Sequence, residues 1–335
     1  MQRVYGVDFG TSNIKIYNSS TKQILNEKNI IAIRRKEGIL EFGNGAFEMF
    51  EKAPENIAVT FPIKGGVIAE MNNMGVLFER FFKKSNGSKN VKSAKFVIAM
   101  PFDITEVEKR AFFDVIEDSG IRAREIKVVD MAAADIVGAG INVGVPAAVM
   151  IVNIGADTTE ISVTSGGSIV ISKIIKTGGN DIDESIRASV KSEYNFIIGK
   201  KTAENLKVKL ADAMFNEDDE DLPFIEAYGN SSVTGLPGKK EIYSDVVGRA
   251  LIPVFSEIAY AINVVFERTP PELSADIIDA GFYLTGGTSA VKNIDRYFQN
   301  ECSLKVNTVY EPGESAIRGL AKIICDPELS RLMRG

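Results

Sequence analysis

The residues best suited to chemistry lie in a short turn just inside the N-terminus. The pattern predicts a strand over residues 4–9, a tight turn at Gly10-Thr11-Ser12-Asn13, and a second strand after it. A glycine in such a turn lets the backbone approach a phosphate, and the other three residues supply N–H and side-chain donors. Asp8, in the first strand, can hold a metal ion through water. A turn containing Gly and Asn also occurs without any ligand, so this turn alone does not decide the function.

A second turn of the same kind follows a strand pattern in the middle of the chain. The apolar run 147–153 leads into Ile154-Gly155-Ala156-Asp157-Thr158-Thr159, and two further strand patterns follow at 160–163 and 168–175. Strand, Gly/Thr turn, strand and meander therefore occur twice. Such a repeat indicates an internally duplicated fold.

A third Gly/Thr turn, Thr285-Gly286-Gly287-Thr288-Ser289, follows the strand pattern at 277–284. The three turns converge on one ligand only if the two halves of the chain face each other. In that arrangement the first two turns hold phosphates from opposite sides, and Gly286-Gly287 lets a base or ribose lie against bare backbone. Three unrelated turns are the alternative.

Elsewhere the chain alternates strand and helix patterns, which is typical of an α/β fold. One helix is predicted to start within residues 103–106, with Asp103 as an acidic cap and Glu106 as the capping-box glutamate. A long helix is predicted over residues 244–267, which Pro253 should kink or start late. With 335 residues, the chain is long enough for two domains that each bury a core.

The composition excludes several functional classes. The net charge of −6 leaves no basic excess for a general nucleic-acid binder, and the acidic run 217–221 is interpreted as a solvated loop. The chain has no histidine, which excludes Ser-His-Asp and Cys-His catalysis and histidine metal sites. Cys302 and Cys325 are too few for a disulfide framework, so a reducing cytoplasm is expected. No stretch is expected to reach the length of a membrane span, and no signal peptide is evident.

Motifs along nearly the whole chain resemble the MreB family of bacterial actins, which are actin-fold ATPases. Besides the phosphate turns, the motifs that carry the resemblance are Leu25-Asn26-Glu27, Gly65-Gly66-Val67-Ile68-Ala69-Glu70, Val107-Glu108-Lys109-Arg110, Gly138-Ala139-Gly140, Thr202-Ala203-Glu204, Thr234-Gly235-Leu236-Pro237, Thr269-Pro270-Pro271-Glu272-Leu273 and Leu284-Thr285-Gly286-Gly287. The Thr-Gly-Leu-Pro and Thr-Pro-Pro-Glu-Leu segments are specific to MreB rather than to the whole superfamily.

The resemblance implies a duplicated actin-like (ribonuclease H-like) α/β fold, with two halves around a nucleotide cleft. The first half is expected to comprise residues 1–145 with 310–335, and the second residues 146–309. Each half is expected to carry a smaller inserted subdomain, at about residues 29–66 and about residues 181–243.

The resemblance also implies roles for individual residues, with ATP or ADP and Mg²⁺ as cofactors. The expected nucleotide-binding residues are Gly10, Thr11, Ser12, Asn13, Gly155, Ala156, Asp157, Thr158, Gly179, Glu204, Lys207, Gly286, Gly287 and Thr288. Within this set, Glu204 and Lys207 would contact ribose and adenine, although a surface ion pair at i, i+3 is the alternative. Asp8 and Asn153 would hold the metal through water, and Thr158 and Asp130 are the catalytic candidates.

Two positions depart from the family pattern. Asn153 replaces the aspartate that opens the second phosphate turn, and the glutamate that orients the attacking water falls on Met131. A thioether can neither accept nor direct a proton, and one such positioned group is worth about two to four decades in rate. Asp130, Asp135 or Asp157 could compensate, but Asp130 is also a natural helix N-cap. ATP is therefore expected to bind while hydrolysis is slow or absent.

The resemblance favours a filament whose subunits stack head to tail, so that the partner is another copy of the chain. A small-molecule kinase of the same fold, or a filament that positions plasmids or organelles, is the alternative. MreB-like proteins commonly reach the bilayer through an amphipathic N-terminal helix or an apolar loop, but in the loop 85–93 only Val91 is apolar. A cytoplasmic protein with weak or partner-mediated contact at the inner face of the membrane is therefore expected.

Overall fold

The computed structural model describes residues 3–35, 37–87, 91, 93–216 and 221–335 of the chain. Its strands are β1 (Val4–Phe9), β2 (Asn13–Asn18), β3 (Gln23–Lys28), β4 (Ile31–Arg34), β5 (Gly38–Phe42), β6 (Ile57–Thr60), β7 (Ile63–Lys64), β8 (Val67–Ile68), β9 (Ser93–Met100), β10 (Arg122–Asp130), β11 (Val149–Ile154), β12 (Thr159–Ser165), β13 (Ser168–Ile175), β14 (Phe196–Ile197), β15 (Phe224–Ser231), β16 (Pro237–Tyr243), β17 (Phe282–Thr285) and β18 (Val306–Thr308). Its α-helices are α1 (Asn44–Met49), α2 (Met71–Ser85), α3 (Glu106–Glu117), α4 (Met131–Gly138), α5 (Gly179–Tyr194), α6 (Lys200–Leu210), α7 (Ser244–Glu267), α8 (Pro271–Ala280), α9 (Ile294–Cys302) and α10 (Ser315–Cys325). Short 3₁₀ helices span Gly287–Ala290, Pro312–Glu314 and Leu329–Leu332.

Two five-stranded sheets share one topology. The first has the order β10-β9-β1-β2-β3 and the second the order β13-β12-β11-β17-β18. In each, three antiparallel strands joined by tight turns are extended by two parallel strands. This confirms the duplication predicted from the repeated strand-turn-strand pattern. In both sheets the Gly/Thr turn joins the central strand to its antiparallel neighbour.

Two smaller sheets lie within the segments predicted as insertions. The sheet β5-β4-β6 packs with α1 between residues 31 and 60, and the sheet β14-β15-β16 lies between residues 196 and 243. The boundaries of the halves and of the insertions stay predictions. Residues 88–90 and 92 of the loop considered for membrane contact, and residues 217–220 of the acidic run, lie outside the described residues.

Helix α3 begins later than predicted. Its N-cap is Thr105, whose hydroxyl accepts the backbone N–H of Glu108, and the Glu108 carboxylate in turn accepts the Thr105 N–H at 2.8 Å. The expected cap at Asp103 and capping-box residue at Glu106 are therefore wrong by two residues. The reason is local, because Thr105 has the extended backbone that an N-cap needs and a hydroxyl at the right spacing.

Helix α7 runs unbroken from Ser244 through Pro253 to Glu267, so the alternative of a late start is wrong. By length and by a mean hydropathy of 1.5 it could cross a membrane, which contradicts the expectation that no stretch is long enough. Half of that apolar window is buried inside the protein. Val247, Leu251 and Ile258 pack in the core of the second half, whereas Pro253, Glu257 and Tyr260 are exposed, so the helix buries one apolar face inside the protein.

Helices α4 and α10 cross at two glycines beside both central strands. A Cβ atom at Gly138 would lie 1.9 Å from the carbonyl oxygen of Ser315, and one at Gly319 would lie 1.8 Å from that of Ala134. The two backbones therefore touch, which only glycine permits at these two positions. The residues of α4 are in this way brought against β11, where the second turn begins.

Candidate functional site

The first turn joins β1 to β2 and is held in shape by Asn29. The Asn29 Nδ2 atom donates to the Gly10 carbonyl oxygen at 2.9 Å, and its backbone N–H donates to the Ser12 carbonyl oxygen at the same distance. A Cβ atom at Gly10 would lie 2.5 Å from the carbonyl oxygen of Asn13, so the turn requires glycine there. Among the described hydrogen bonds none uses the Thr11 hydroxyl, which leaves this group available to a ligand.

Asp8 is paired with a lysine that the sequence reasoning missed. The Lys15 Nζ atom lies 2.8 Å from Asp8 Oδ2, and the two side chains are only 13% and 8% exposed. They are directly opposite each other in the β1–β2 register, so the predicted hairpin contained the signal for this pair. The Lys15 ammonium group thus places a positive charge next to the first turn.

The second turn is hydrogen-bonded to the other half of the chain through Asp157. Its carboxylate accepts the backbone N–H of Gly65 at 2.6 Å and the Asn180 Nδ2 group at 2.5 Å. Gly65 belongs to the hairpin loop between β7 and β8, in the first half. Both carboxylate oxygens of Asp157 are therefore engaged by donors of the protein.

The third turn meets the second one directly. The Thr288 hydroxyl donates to the Gly155 carbonyl oxygen at 2.8 Å, and the backbone N–H of Gly179 donates to the same oxygen at 3.0 Å. Gly286 has a φ of +84°, and a Cβ atom there would lie 2.3 Å from the Ile154 carbonyl oxygen. The structure therefore brings these glycines and Thr288 together, at the ends of β11 and β17.

Helix α6 presents Glu204 and Lys207 to two different partners. Lys207 Nζ donates to the Gly179 carbonyl oxygen at 2.7 Å and pairs with Asp183 at 2.8 Å, while Glu204 pairs with Lys28 at 2.7 Å. The alternative of an ion pair between Glu204 and Lys207 is therefore wrong. Burial raises the pKa of Asp183 to about 6, and Lys207 opposes that rise.

Asn153 is bonded to a carboxylate that α4 supplies. Its Nδ2 atom donates to Asp135 Oδ2 at 2.6 Å, and the Ser315 hydroxyl donates to the other oxygen. Asp135 is fully buried, and burial raises its pKa to about 6 despite these two hydrogen bonds. The negative charge that Asn153 lacks is thus present one hydrogen bond away.

Met131 is the first residue of α4, and its neighbour Asp130 occupies the N-cap position without capping the helix. Among the described hydrogen bonds none runs from the helix to the Asp130 carboxylate, which bonds to Arg334 instead. The N-cap interpretation of Asp130 is therefore wrong, because the C-terminal arginine competes for the carboxylate. Burial raises the pKa of Asp130, and Arg334 works against that shift.

Glu160 is a buried carboxylate that the sequence reasoning missed. Its Oε1 atom accepts the Phe102 N–H at 3.3 Å and the hydroxyls of Ser162 and Ser172, whereas its Oε2 atom has no partner among the described residues. Burial raises its pKa to about 7, and the nearby Asp135 charge adds to the rise. The sequence feature that could have indicated this residue is a glutamate inside a predicted strand, two residues after Thr158.

Glu160 should make the stability of the protein depend on pH. Its pKa rises from 4.5 to about 7 on folding, so the folded state binds more protons between these values and the free energy of unfolding falls as pH rises through them. Between pH 5 and pH 8, the free energy of unfolding should fall by about 2 kcal/mol less in Glu160→Gln than in the parent protein. Urea unfolding at several pH values measures this, with the exposed Glu257→Gln as control. An unchanged pH dependence in Glu160→Gln would contradict the assignment.

Comparison with known proteins identifies close relatives. The family model described as MreB/Mbl protein matches residues 2–331. The cell shape-determining protein Mbl of Bacillus subtilis is 35% identical over 311 residues, which cover 92% of this chain and 92% of that protein.

Solved structures agree with the sequence relatives. A crystal structure of MreB5 of Spiroplasma citri bound to AMPPNP has a TM-score of 0.90 and 30% identity, and the match covers 96% of each chain. A second structure of MreB5 is bound to ADP, with a TM-score of 0.88 and 31% identity. A MamK double helical filament, at 17% identity and a TM-score of 0.79, shares the fold. The predicted duplicated actin-like fold is therefore confirmed.

Proposed function

Because the chain belongs to the MreB/Mbl family, we propose that it is an ATP-binding bacterial actin that assembles into filaments for cell-shape or cell-wall organisation. The observation that carries the proposal is the direct contact of the second and third turns through Thr288 and Gly155, with the second turn joined to the first half through Asp157 and Gly65. Relatives crystallised with AMPPNP and ADP support an adenine nucleotide as the ligand. The protein acts in the cytoplasm, and its contact with the membrane is weak or mediated by a partner.

The nucleotide would lie between the two halves. The backbone and hydroxyl groups of the Gly10-Thr11-Ser12-Asn13 turn would hold the β- and γ-phosphates from one side, and the turn from Gly155 to Thr158 from the other. Gly179, Gly286, Gly287 and Thr288 would border the nucleoside, with Glu204 and Lys207 on the ribose and adenine. The tight backbone at Gly10 and Gly286 fits this role, because neither position has room for a side chain.

Magnesium fits the same site. Mg²⁺ is usually held by one or two carboxylates, by retained water and by substrate phosphates, so a single aspartate suffices. Lys15 contacts Oδ2 of Asp8, and the other carboxylate oxygen can accept a hydrogen bond from metal-bound water. Asn153 would contribute its amide oxygen, since its amide nitrogen donates to Asp135. The metal would supply positive charge to the phosphate oxygens.

Hydrolysis is proposed to be slow. The position of the water-directing glutamate holds Met131, and the three aspartates considered as replacements are all bonded to other groups. Asp130 is bonded to Arg334, Asp135 to Ser315 and Asn153, and Asp157 to Gly65 and Asn180. The nucleotide would then act as a structural ligand or a slow timer of assembly.

Electron microscopy and pelleting of the purified protein with ATP, with ADP and without nucleotide test the proposal. We expect filaments with ATP and an adenine-nucleotide dissociation constant that titration calorimetry can measure. Gly287→Val should weaken binding, because Gly287 faces open space where the nucleoside is placed. Gly75→Ala in α2, another glycine in open space, is the control. A monomer at every concentration with no affinity for adenine nucleotides would refute the proposal.

A further inference from the structure

Lys28, the last residue of β3, crosses the cleft between the two halves. Its Nζ atom lies 3.2 Å from the Ser12 hydroxyl of the first turn and 2.7 Å from Glu204 Oε1 on α6. Its side chain is only 19% exposed, and its ammonium group also sits 4.5 Å from the centre of the Phe47 ring. One cation therefore joins the proposed phosphate turn to the proposed nucleoside helix.

The contact around Lys28 continues along α1 and the N-terminal end of α6. The Glu51 carboxylate accepts the backbone N–H groups of Lys200 and Lys201 at 2.9 Å and 3.2 Å. Glu51 adopts a φ of +61°, a left-handed conformation that is costly for a residue with a side chain. Lys201 Nζ donates to the Phe47 carbonyl oxygen at 2.9 Å and lies 4.6 Å from the same ring.

These contacts hold the first-half insertion against the helix that carries Glu204. The strain at Glu51 is tolerated because its carboxylate satisfies two N–H groups that the start of α6 leaves without helical partners. The cleft is thereby closed on the side of Lys28. A ligand with phosphates on the Ser12 turn and ribose on Glu204 must then pass directly beside the Lys28 ammonium group.

We propose that Lys28 is a further nucleotide-binding residue, which donates to the phosphate chain from its position between Ser12 and Glu204. This inference rests on the proposed function, because it assumes that the ligand is an adenine nucleotide. A charge-assisted hydrogen bond in a partly buried position strengthens the binding of a phosphate and does nothing for an uncharged nucleoside. Lys28 thus favours ADP and ATP over adenosine.

Titration of ATP, ADP and adenosine against the full chain and its Lys28→Met variant tests this role. We expect about tenfold weaker binding of ATP and ADP by Lys28→Met, with adenosine binding unchanged within about twofold. Lys28→Arg keeps the charge and should bind ATP and ADP within a few-fold of the parent. Unchanged adenosine binding also shows that the variant has folded.

Lys95→Met is the matched control. Lys95 is also a partly buried lysine of the first half that pairs with a glutamate, Glu125 at 2.5 Å, but it lies near the start of β9, at the opposite end of the sheet from the turns. This variant should bind all three ligands like the parent.

The outcomes separate this inference from the proposed function. Parent-like ATP and ADP binding by Lys28→Met, or an equal loss for adenosine and ATP, overturns the role of Lys28 in holding phosphate and leaves the proposed function intact. Equal losses in Lys28→Met and Lys95→Met overturn it too, since the effect would then not depend on the cleft. A parent chain that binds no adenine nucleotide overturns the proposed function together with this inference.

Discussion

Replacing Met131 with glutamate is expected to raise the rate of ATP hydrolysis by about a hundredfold or more. A glutamate at the start of α4 would restore a group that accepts and orients the attacking water, and one positioned acid–base group contributes about 10²–10⁴ in rate. Phosphate release under polymerising conditions measures the effect. Met131→Gln, which has a similar shape and no carboxylate, should stay close to the parent.

The expectation depends on the surroundings of α4. Met131 is partly buried against apolar side chains, and the Asp130 carboxylate beside it is bonded to Arg334. We therefore expect that no described residue at this end of the helix replaces the water-directing glutamate. A parent protein that already turns over ATP as fast as ordinary bacterial actins, or a Met131→Glu variant that is no faster, would show that another group directs the water.

Gly319→Ala, which adds a single methyl group, is expected to lower the free energy of unfolding by about 3 kcal/mol, at the upper end of the usual cost of overpacking. The new Cβ atom would lie 1.8 Å from the Ala134 carbonyl oxygen, so α10 and α4 would have to move apart. Gly138→Ala should act in the same way, because its Cβ atom would meet the Ser315 carbonyl oxygen at 1.9 Å. The separation would also strain the hydrogen bond between Ser315 and Asp135.

A glycine-to-alanine substitution in α2 is expected to have the opposite effect on stability. Gly75 lies inside that helix, and a methyl group added there would meet no described atom within 4 Å, leaving the backbone of its own helix aside. Gly75→Ala should therefore stabilise the protein by up to about 1 kcal/mol through helix propensity alone. Thermal and urea unfolding of the three variants measures the contrast. If Gly319→Ala and Gly75→Ala shift the unfolding midpoint alike, the close contact of α4 and α10 is not what stabilises this region.

Several features of the site follow from local pattern. The tight turn at Gly10 follows from a strand, a glycine and three small polar residues, and Gly155 and Gly286 likewise come directly after strands. Local rules were less secure for α3, where Thr105 and not Asp103 became the cap, since both residues satisfy the composition of a cap. Only the backbone conformation distinguishes them.

Hydrogen-bond and ion-pair partners that are distant in the chain could not be predicted from the order of the residues. The sequence alone determined the duplicated α/β architecture and the three turns, because hydrophobic periodicity and glycine spacing act over a few residues and repeat visibly. The tertiary structure decided which polar groups meet: Asn153 bonds to Asp135, Arg334 to Asp130, and Lys28 to Glu204, 176 residues away. Those pairs depend on how the two sheets and their helices pack together in space. The residue type of a carboxylate does not specify which distant cation or amide it will contact.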